Sequence, residues 1–327
     1  MEQDEGSSGS MVRRMVAGRD VGAVGLGCAG LSLFPPPHEQ GIATIHAALD
    51  AGVQVLDTAP AYVPDAASQG HNERLVAEAL AGWDGDRSAA VVVCKGGHAR
   101  VGDGHDIATD FEVCGRPDYI RAQADATLRA LGVDAVDLYL LHQPDSRVPI
   151  VESMGALEAL RRAGKARHVG VCNVTIEQLD ACETVGTVDA VQNGFSPLSR
   201  DRSVLDWCEA RWVPFLAYSP LGGLFGPAMH ELGALRGVAA RHGASSQQVA
   251  LAWAIQQSPV LIPIPGCRRP EHAADCAAAM RLELDESDRE RLMNITADAQ
   301  PFDAETDTQR RHRLETRLDD LINEVAP

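Results

Sequence analysis

Three apolar runs in this sequence stop abruptly at ionisable side chains. They read Val55-Leu56-Asp57-Thr58-Ala59-Pro60-Ala61-Tyr62, Val92-Val93-Cys94-Lys95-Gly96-Gly97 and Leu138-Tyr139-Leu140-Leu141-His142-Gln143-Pro144-Asp145. Taken one at a time, each has an ordinary explanation. A strand-end Asp often caps a helix, and an isolated Lys or His is more often structural than catalytic. Together Asp57, Tyr62, Lys95 and His142 form a set that can give, take and hold protons. They fall where a parallel-strand barrel carries its chemistry, at the carboxyl ends of several strands. A metal is not expected. None of the eight cysteines forms a CxxC pair, and no His/Cys spacing matches a zinc site. Cysteines scattered at mostly apolar positions read as buried thiols in a reducing compartment, so the protein is expected in the cytoplasm.

For these groups to meet, the runs must be strands of one sheet. From about residue 21 to 280, short β-branched runs alternate with longer stretches of helical period, the pattern of repeated βα units. Strands are predicted at 21–26, 53–56, 90–94, 136–141, 168–171, 190–192, 214–217 and 261–263. Helices are predicted at 40–51, 72–82, 117–131, 151–163, 175–184, 201–211, 231–256 and 270–280. Ile42, Ile45, Ala48 and Leu49 recur at helical spacing, and Gly52 and Gly164 follow their helices as stop signals. Eight strands and eight helices point to an α/β fold, a (β/α)8 TIM barrel. Residues 1–10 are polar and Gly/Ser-rich and read as a disordered leader, with Met11 a plausible natural start. Residues 11–327 then form a single barrel domain with a helical extension from about 285. That tail, with Leu314, Leu318 and Leu321 at helical spacing, is expected to pack outside the barrel, with a subunit contact as the alternative.

The 327 residues would accommodate either two domains or one barrel with insertions. An apolar share of 45% with 23% charged residues suits a core-forming globular chain. The formal charge of −17, from 29 Lys+Arg against 46 Asp+Glu, argues against nucleic-acid or anionic-membrane partners, which need a basic face. No uncharged apolar stretch is long enough to span a bilayer. Gly25-Leu26-Gly27-Cys28-Ala29-Gly30 matches the dinucleotide fingerprint G-x-G-x-x-G. That fingerprint needs a helix starting at its end, and Leu31-Ser32-Leu33-Phe34-Pro35-Pro36-Pro37 cannot continue as one. A Rossmann reading is therefore declined, leaving a glycine-rich loop that permits close backbone approach to a flat ligand.

From about Met11 to 295 the sequence resembles the aldo-keto reductase family, in its bacterial branch. The resemblance rests on GLGCAG at 25–30, LDTAPAY at 56–62, HNE at 71–73, CKGG at 94–97 and LLHQPD at 140–145. It continues in GVCN at 170–173, AYSPLGG at 217–223 and IPIPGCRRPEH at 262–272. It implies a (β/α)8 barrel that binds NADPH across its mouth, NADH being the lesser expectation, and reduces carbonyls without a metal. On that resemblance Tyr62 donates the proton, Lys95 lowers its pKa, Asp57 holds and balances Lys95, and His142 orients the carbonyl. Gly27, Cys28 and Ala29 would line the nicotinamide, with Asp57 nearby, and Cys172, Asn173 and Gln192 would hold its carboxamide. Tyr218 would stack on the ring, and Ser219, Pro220, Leu221 and Gly223 would line the pyrophosphate. Ile264, Gly266, Cys267, Arg268, His272, Asp275 and Cys276 would hold the adenosine end, Arg268, Arg269 and His272 offering cations for a 2′-phosphate.

Departures from the family pattern sit at that end and beside it. Cys172 replaces a usual Ser, and Cys267, Asp275 and Cys276 stand where Ser, Glu and Asn are common. The segment 97–116, carrying His98, Asp103, His105, Asp106, Asp110, Phe111 and Cys114, reads as a long loop walling the substrate pocket. Phe111 and Gln143 are its pocket residues, and their mix suggests a polar small-molecule carbonyl. The implied function is NADPH-dependent reduction of an aldehyde or ketone. The alternatives are an NADP-dependent dehydrogenase of a sugar or alcohol, or a non-catalytic cofactor-binding regulatory subunit. Monomer and homo-oligomer stay open.

Overall fold

A computed structural model of the chain describes residues 10–102, 110–223, 232–293 and 295. The chain opens with an antiparallel hairpin, β1 (Arg13–Val16) and β2 (Arg19–Gly22). Then follow β3 (Gly25–Gly27), α1 (Gly30–Leu33), α2 (His38–Asp50), β4 (Val55–Asp57), α3 (His71–Gly82) and β5 (Val91–Gly96). A second hairpin, β6 (His98–Arg100) and β7 (Phe111–Val113), precedes α4 (Pro117–Leu131), β8 (Val136–Leu141), α5 (Ile150–Arg162) and β9 (Ala166–Cys172). The rest is α6 (Ile176–Glu183), β10 (Val191–Gly194), α7 (Ser203–Arg211), β11 (Phe215–Tyr218), α8 (Gly233–His242), α9 (Ser246–Ile255), β12 (Leu261–Pro263), α10 (Pro270–Ala278) and α11 (Glu286–Met293).

The main sheet has eight strands in the order β3-β4-β5-β8-β9-β10-β11-β12, each pair parallel. Gly27 closes the ring. It forms a parallel bridge with Gly266 and donates its N–H to Pro265 O at 2.9 Å. A Cβ at Gly27 would come within 2.9 Å of Ile264 O, so only glycine permits this approach of the two end strands. The architecture is the (β/α)8 barrel that the alternation predicts.

Successive strand residues point to opposite faces. Val55, Val91, Val93, Leu138, Leu140, Leu216 and Ile262 form one cluster inside the barrel, while Leu56, Cys94, Tyr139 and Leu141 join the larger core beneath the helices. Val16 and Val21 of the first hairpin belong to the inner cluster, so the hairpin plugs the amino-terminal end of the barrel. Helix ends follow their sequence signals. Thr175 and Gln178 form a reciprocal capping box on α6, Pro117 and Pro270 occupy first turns, and Gly52 and Gly164 adopt left-handed φ beyond α2 and α5.

Four expectations need correction. The strand expected at 21–26 is two strands, because Ala23 and Val24 carry the chain from the plugging hairpin into the barrel wall. One helical turn, α1, does start at Gly30, and it stops at Phe34 before Pro35 removes the next donor. The helix expected at 231–256 is two, broken at Gly243 (φ +59), where Ser245 caps α9 through Gln248 N. Segment 97–116 is not merely a loop, since β6 and β7 pair His98 with Val113 and Arg100 with Phe111. The leader's residues 1–9, Asp103, His105, Asp106, Leu314, Leu318 and Leu321 lie outside the described residues.

Candidate active site

The barrel's period-2 alternation builds the site. Each of β4, β5 and β8 runs apolar residues along its inward face and ends that face with a polar one. Val55 is followed by Asp57, Val91 and Val93 by Lys95, and Leu138 and Leu140 by His142. Lys95 is wholly buried, and its Nζ donates to Asp57 Oδ2 at 2.6 Å and to Tyr62 Oη at 2.9 Å. Tyr62 arrives from the turn after β4, where its N–H meets Ala59 O. The His142 ring lies edge-on to Tyr62 at 5.7 Å between centroids, and its backbone N–H is fixed on Gly96 O at 2.8 Å. Tyr62 and His142 are both partly exposed, which opens this end of the cluster to a ligand.

Burial opposes the Lys95 charge, but the Asp57 carboxylate beside it outweighs that cost and its pKa is raised. Burial likewise raises the Tyr62 phenol above its usual value. Lys95 pulls it down and Asp57 pushes it back up. Lys95 thus acts in the expected direction, but the ammonium offsets only part of the desolvation and the net shift is upward. His142 is held well below its ordinary value by burial first, then by Lys95 and His98, so its imidazole is neutral. Burial and Lys95 also lower His98, to about 4. Its ring packs 4.7 Å from His142 and 5.4 Å from Phe111, and Gln143 is exposed beside His142.

The residues expected to hold a cofactor divide into two groups. Near the tetrad, the Tyr218 hydroxyl donates to Asn173 Oδ1 at 2.8 Å, and Asn173 Nδ2 donates to His142 O at 2.9 Å. Asn173 holds this position with φ +58. Gln192, buried, donates from Nε2 to Asp57 Oδ1 at 2.8 Å, and Cys172 pairs with it in register across β9 and β10. Cys28 and Cys172 are fully buried, and burial raises both thiols, so both are neutral. After β11 the chain turns sharply at Ser219 (φ +50), Gly222 (φ +86) and Gly223 (φ +64), with Pro220 buried and Leu221 partly so.

At the far end, Arg268 arches over the first loop: a Cβ on Gly30 would lie 3.5 Å from its Cγ. Gly266, Arg269 and His272 are exposed, and Ile264 is buried with its N–H on Ala217 O. Asp275 faces another way. Its oxygens accept from Ser245 Oγ at 2.7 Å and Gln248 Nε2 at 2.6 Å, tying α10 to α9. Cys267 and Cys276 are buried with sulfurs 3.8 Å apart. Among the described residues, no group of three or more His, Cys, Asp or Glu is arranged to hold a metal, and no helix is long and apolar enough to cross a membrane.

The sequence model of the Aldo/keto reductase family matches residues 23–297. The chain belongs to the aldo/keto reductase family. It is similar to an uncharacterized oxidoreductase of Schizosaccharomyces pombe, 31% identical over 253 residues, covering 76% of this chain and 77% of the relative. Among solved structures it is similar to the glycerol dehydrogenase of Gluconobacter oxydans. There the TM-score is 0.77 and the identity 28%, covering 89% of this chain and 97% of that one. It is also similar to an aldo-keto reductase of Klebsiella pneumoniae solved in complex with NADPH, with TM-score 0.70, 26% identity and coverage of 89% and 97%. This aldo/keto reductase is accordingly an oxidoreductase acting on carbonyl groups.

Two supports of this aldo/keto reductase's site escaped the sequence reading. Asn72, fully buried, accepts from Thr58 Oγ1 at 2.6 Å and donates to Cys28 O at 2.8 Å and Ser32 Oγ at 2.7 Å, joining the loops after β3 and β4. The HNE motif at 71–73 was its only trace in the sequence. Gln123 clamps the turn after Lys95, accepting from Gly97 N at 2.7 Å and donating to His98 O at 2.9 Å. Nothing in its helical surroundings marks it out.

Proposed function

We propose that this enzyme reduces an aldehyde or ketone to the alcohol with NADPH, and that Tyr62 is the general acid. The observation that carries this reading is the buried Lys95 ammonium, held at once by Asp57 Oδ2 at 2.6 Å and by Tyr62 Oη at 2.9 Å. A bound nicotinamide would supply the hydride, leaving negative charge on the carbonyl oxygen. Tyr62, kept protonated by its burial, gives that oxygen its proton. The phenolate left behind sits against the Lys95 ammonium, which Asp57 keeps charged. Neutral His142 donates a hydrogen bond to the same oxygen and orients the carbonyl.

The groove fits the cofactor by its chemistry. Gln192 and Asn173 bring amides to the nicotinamide end, Tyr218 offers an aromatic face, and the Ser219–Gly223 turn leaves room for a pyrophosphate. Arg268 and Arg269 supply cations for a 2′-phosphate, with the His272 ring as a further polar group, which favours NADPH over NADH. The likeness to a glycerol dehydrogenase supports a second reading, oxidation of a polyol by the same residues run in reverse. Rates measured in both directions separate the two. The His98 and Phe111 wall suits a polar carbonyl substrate, and eight free thiols suit a cytoplasmic setting.

Steady-state assay of Tyr62→Phe over an aldehyde panel tests the central claim. Turnover is expected to fall about 10²–10⁴-fold while NADPH still binds. Turnover equal to wild type would remove Tyr62 from the role.

A further inference from the structure

We infer that Gln192 is a positioning residue that ties the cofactor seat to the carboxylate of the proton relay, one amide serving both. The inference rests on the cofactor reading above and adds a task that carboxamide binding alone does not include. Asp57 is 2% exposed, and its two carboxylate oxygens have separate donors: Lys95 Nζ on Oδ2 and Gln192 Nε2 on Oδ1. A carboxylate only accepts, so the contact fixes which way the amide faces. Nε2 must point at Asp57, and Oε1 is left as the acceptor. An acceptor on the groove side is what the N–H₂ of a nicotinamide carboxamide requires.

The backbone holds Gln192 equally firmly. It lies on β10 between Cys172 of β9 and Leu216 of β11, and its carbonyl accepts from Asn173 N at 3.0 Å. Asn173 in turn bridges Tyr218 and His142. Removing the Gln192 amide would strand a buried carboxylate oxygen, and whatever shifts the amide shifts Asp57, hence Lys95 and Tyr62. The titratable groups around this contact are Asp57, Lys95, Tyr62, Cys28, Cys172 and Tyr218.

Gln192→Glu tests the tie by placing a second carboxyl against Asp57 Oδ1, where two neighbouring carboxyls cannot both ionise cheaply. Thermal unfolding of the cofactor-free protein is the first readout. The introduced carboxyl has a folded pKa above its unfolded value, so its contribution is intact at low pH and is lost as pH rises. The Tm gap to wild type should widen between about pH 5 and pH 8. In an Asp57→Asn background that widening should vanish. The second readout is NADPH affinity by fluorescence, expected to weaken at least about tenfold over the same interval in Gln192→Glu only, as one linked pKa unit requires.

If Gln192→Glu fails to fold, Gln192→Met and Asp57→Asn form a double-mutant cycle in which non-additive Tm changes support the tie and additive ones overturn it. A pH-independent Tm gap, or one unchanged by Asp57→Asn, also overturns it and leaves Gln192 as a cofactor ligand alone. Failure of the wild type to bind NADPH would instead count against the proposed function, with the Tm series still reporting on Asp57 and Gln192.

Discussion

The two ends of the groove are built on different principles. At the tetrad, every charge inside the barrel is already matched: Lys95 to Asp57, Asp57 to Lys95 and Gln192, His142 kept neutral. Pairing of this kind is how preorganised sites lower barriers. At the far end the polar groups that family resemblance assigns to adenosine are partly spent on the scaffold. Asp275 holds α10 to α9, Cys267 and Cys276 face each other in the core, and Arg269 and His272 are left exposed near Arg268. Buried, mutually paired groups therefore characterise the tetrad end, the proposed reacting end, and exposed basic side chains the far end.

The comparison is broken most sharply at Lys95. Lys95→Met strands the buried Asp57 carboxylate, so both stability and turnover should suffer. Unfolding in urea should report a loss of about 3–5 kcal/mol, as for a broken buried pair. A loss below about 1 kcal/mol would mean that the end is less preorganised than its distances imply. Arg268→Ala comes next. A charge-assisted hydrogen bond is worth about 1.5–3 kcal/mol, so NADPH affinity should fall about 10–100-fold while NADH affinity changes little. Equal losses for both cofactors would place Arg268 away from the 2′-phosphate.

His98 sharpens the picture at the reacting end. Its folded pKa of about 4 lies below the unfolded 6.5, so the unfolded chain takes up this proton first as pH falls. Stability should decline from about pH 6.5 toward pH 4, and His98→Asn should flatten that slope in a Tm series. An unchanged slope would mean that the imidazole is not held neutral. The smallest effect is expected from Asp275→Ala. It removes two hydrogen bonds between α10 and α9, costing about 1–2 kcal/mol of stability, and should leave NADPH affinity within about threefold. A tenfold loss would return Asp275 to the cofactor.

The reacting end was legible in the sequence because strand periodicity and burial act together. An apolar run ending in Asp57, Lys95 or His142 states both that a strand stops and that its last inward position is polar. What stayed hidden was set by long-range contact. Asp57 and Gln192 are 135 residues apart and meet only because the barrel closes. The β6–β7 hairpin has only three residues per strand, too few for alternation to be read, and the break at Gly243 became visible only with Ser245 capping the next helix. Asp275 reads as a groove residue by position, but the first turn of α9 claims both its oxygens. The Tyr62 shift depended on a balance between desolvation and two opposing charges, which residue types alone do not weigh.

The hairpin that stoppers the barrel has a consequence for traffic. With Val16 and Val21 packed beneath the inward side chains of the strands, the base of the barrel is solid, so Tyr62 and His142 can be reached only from the end where the strands finish.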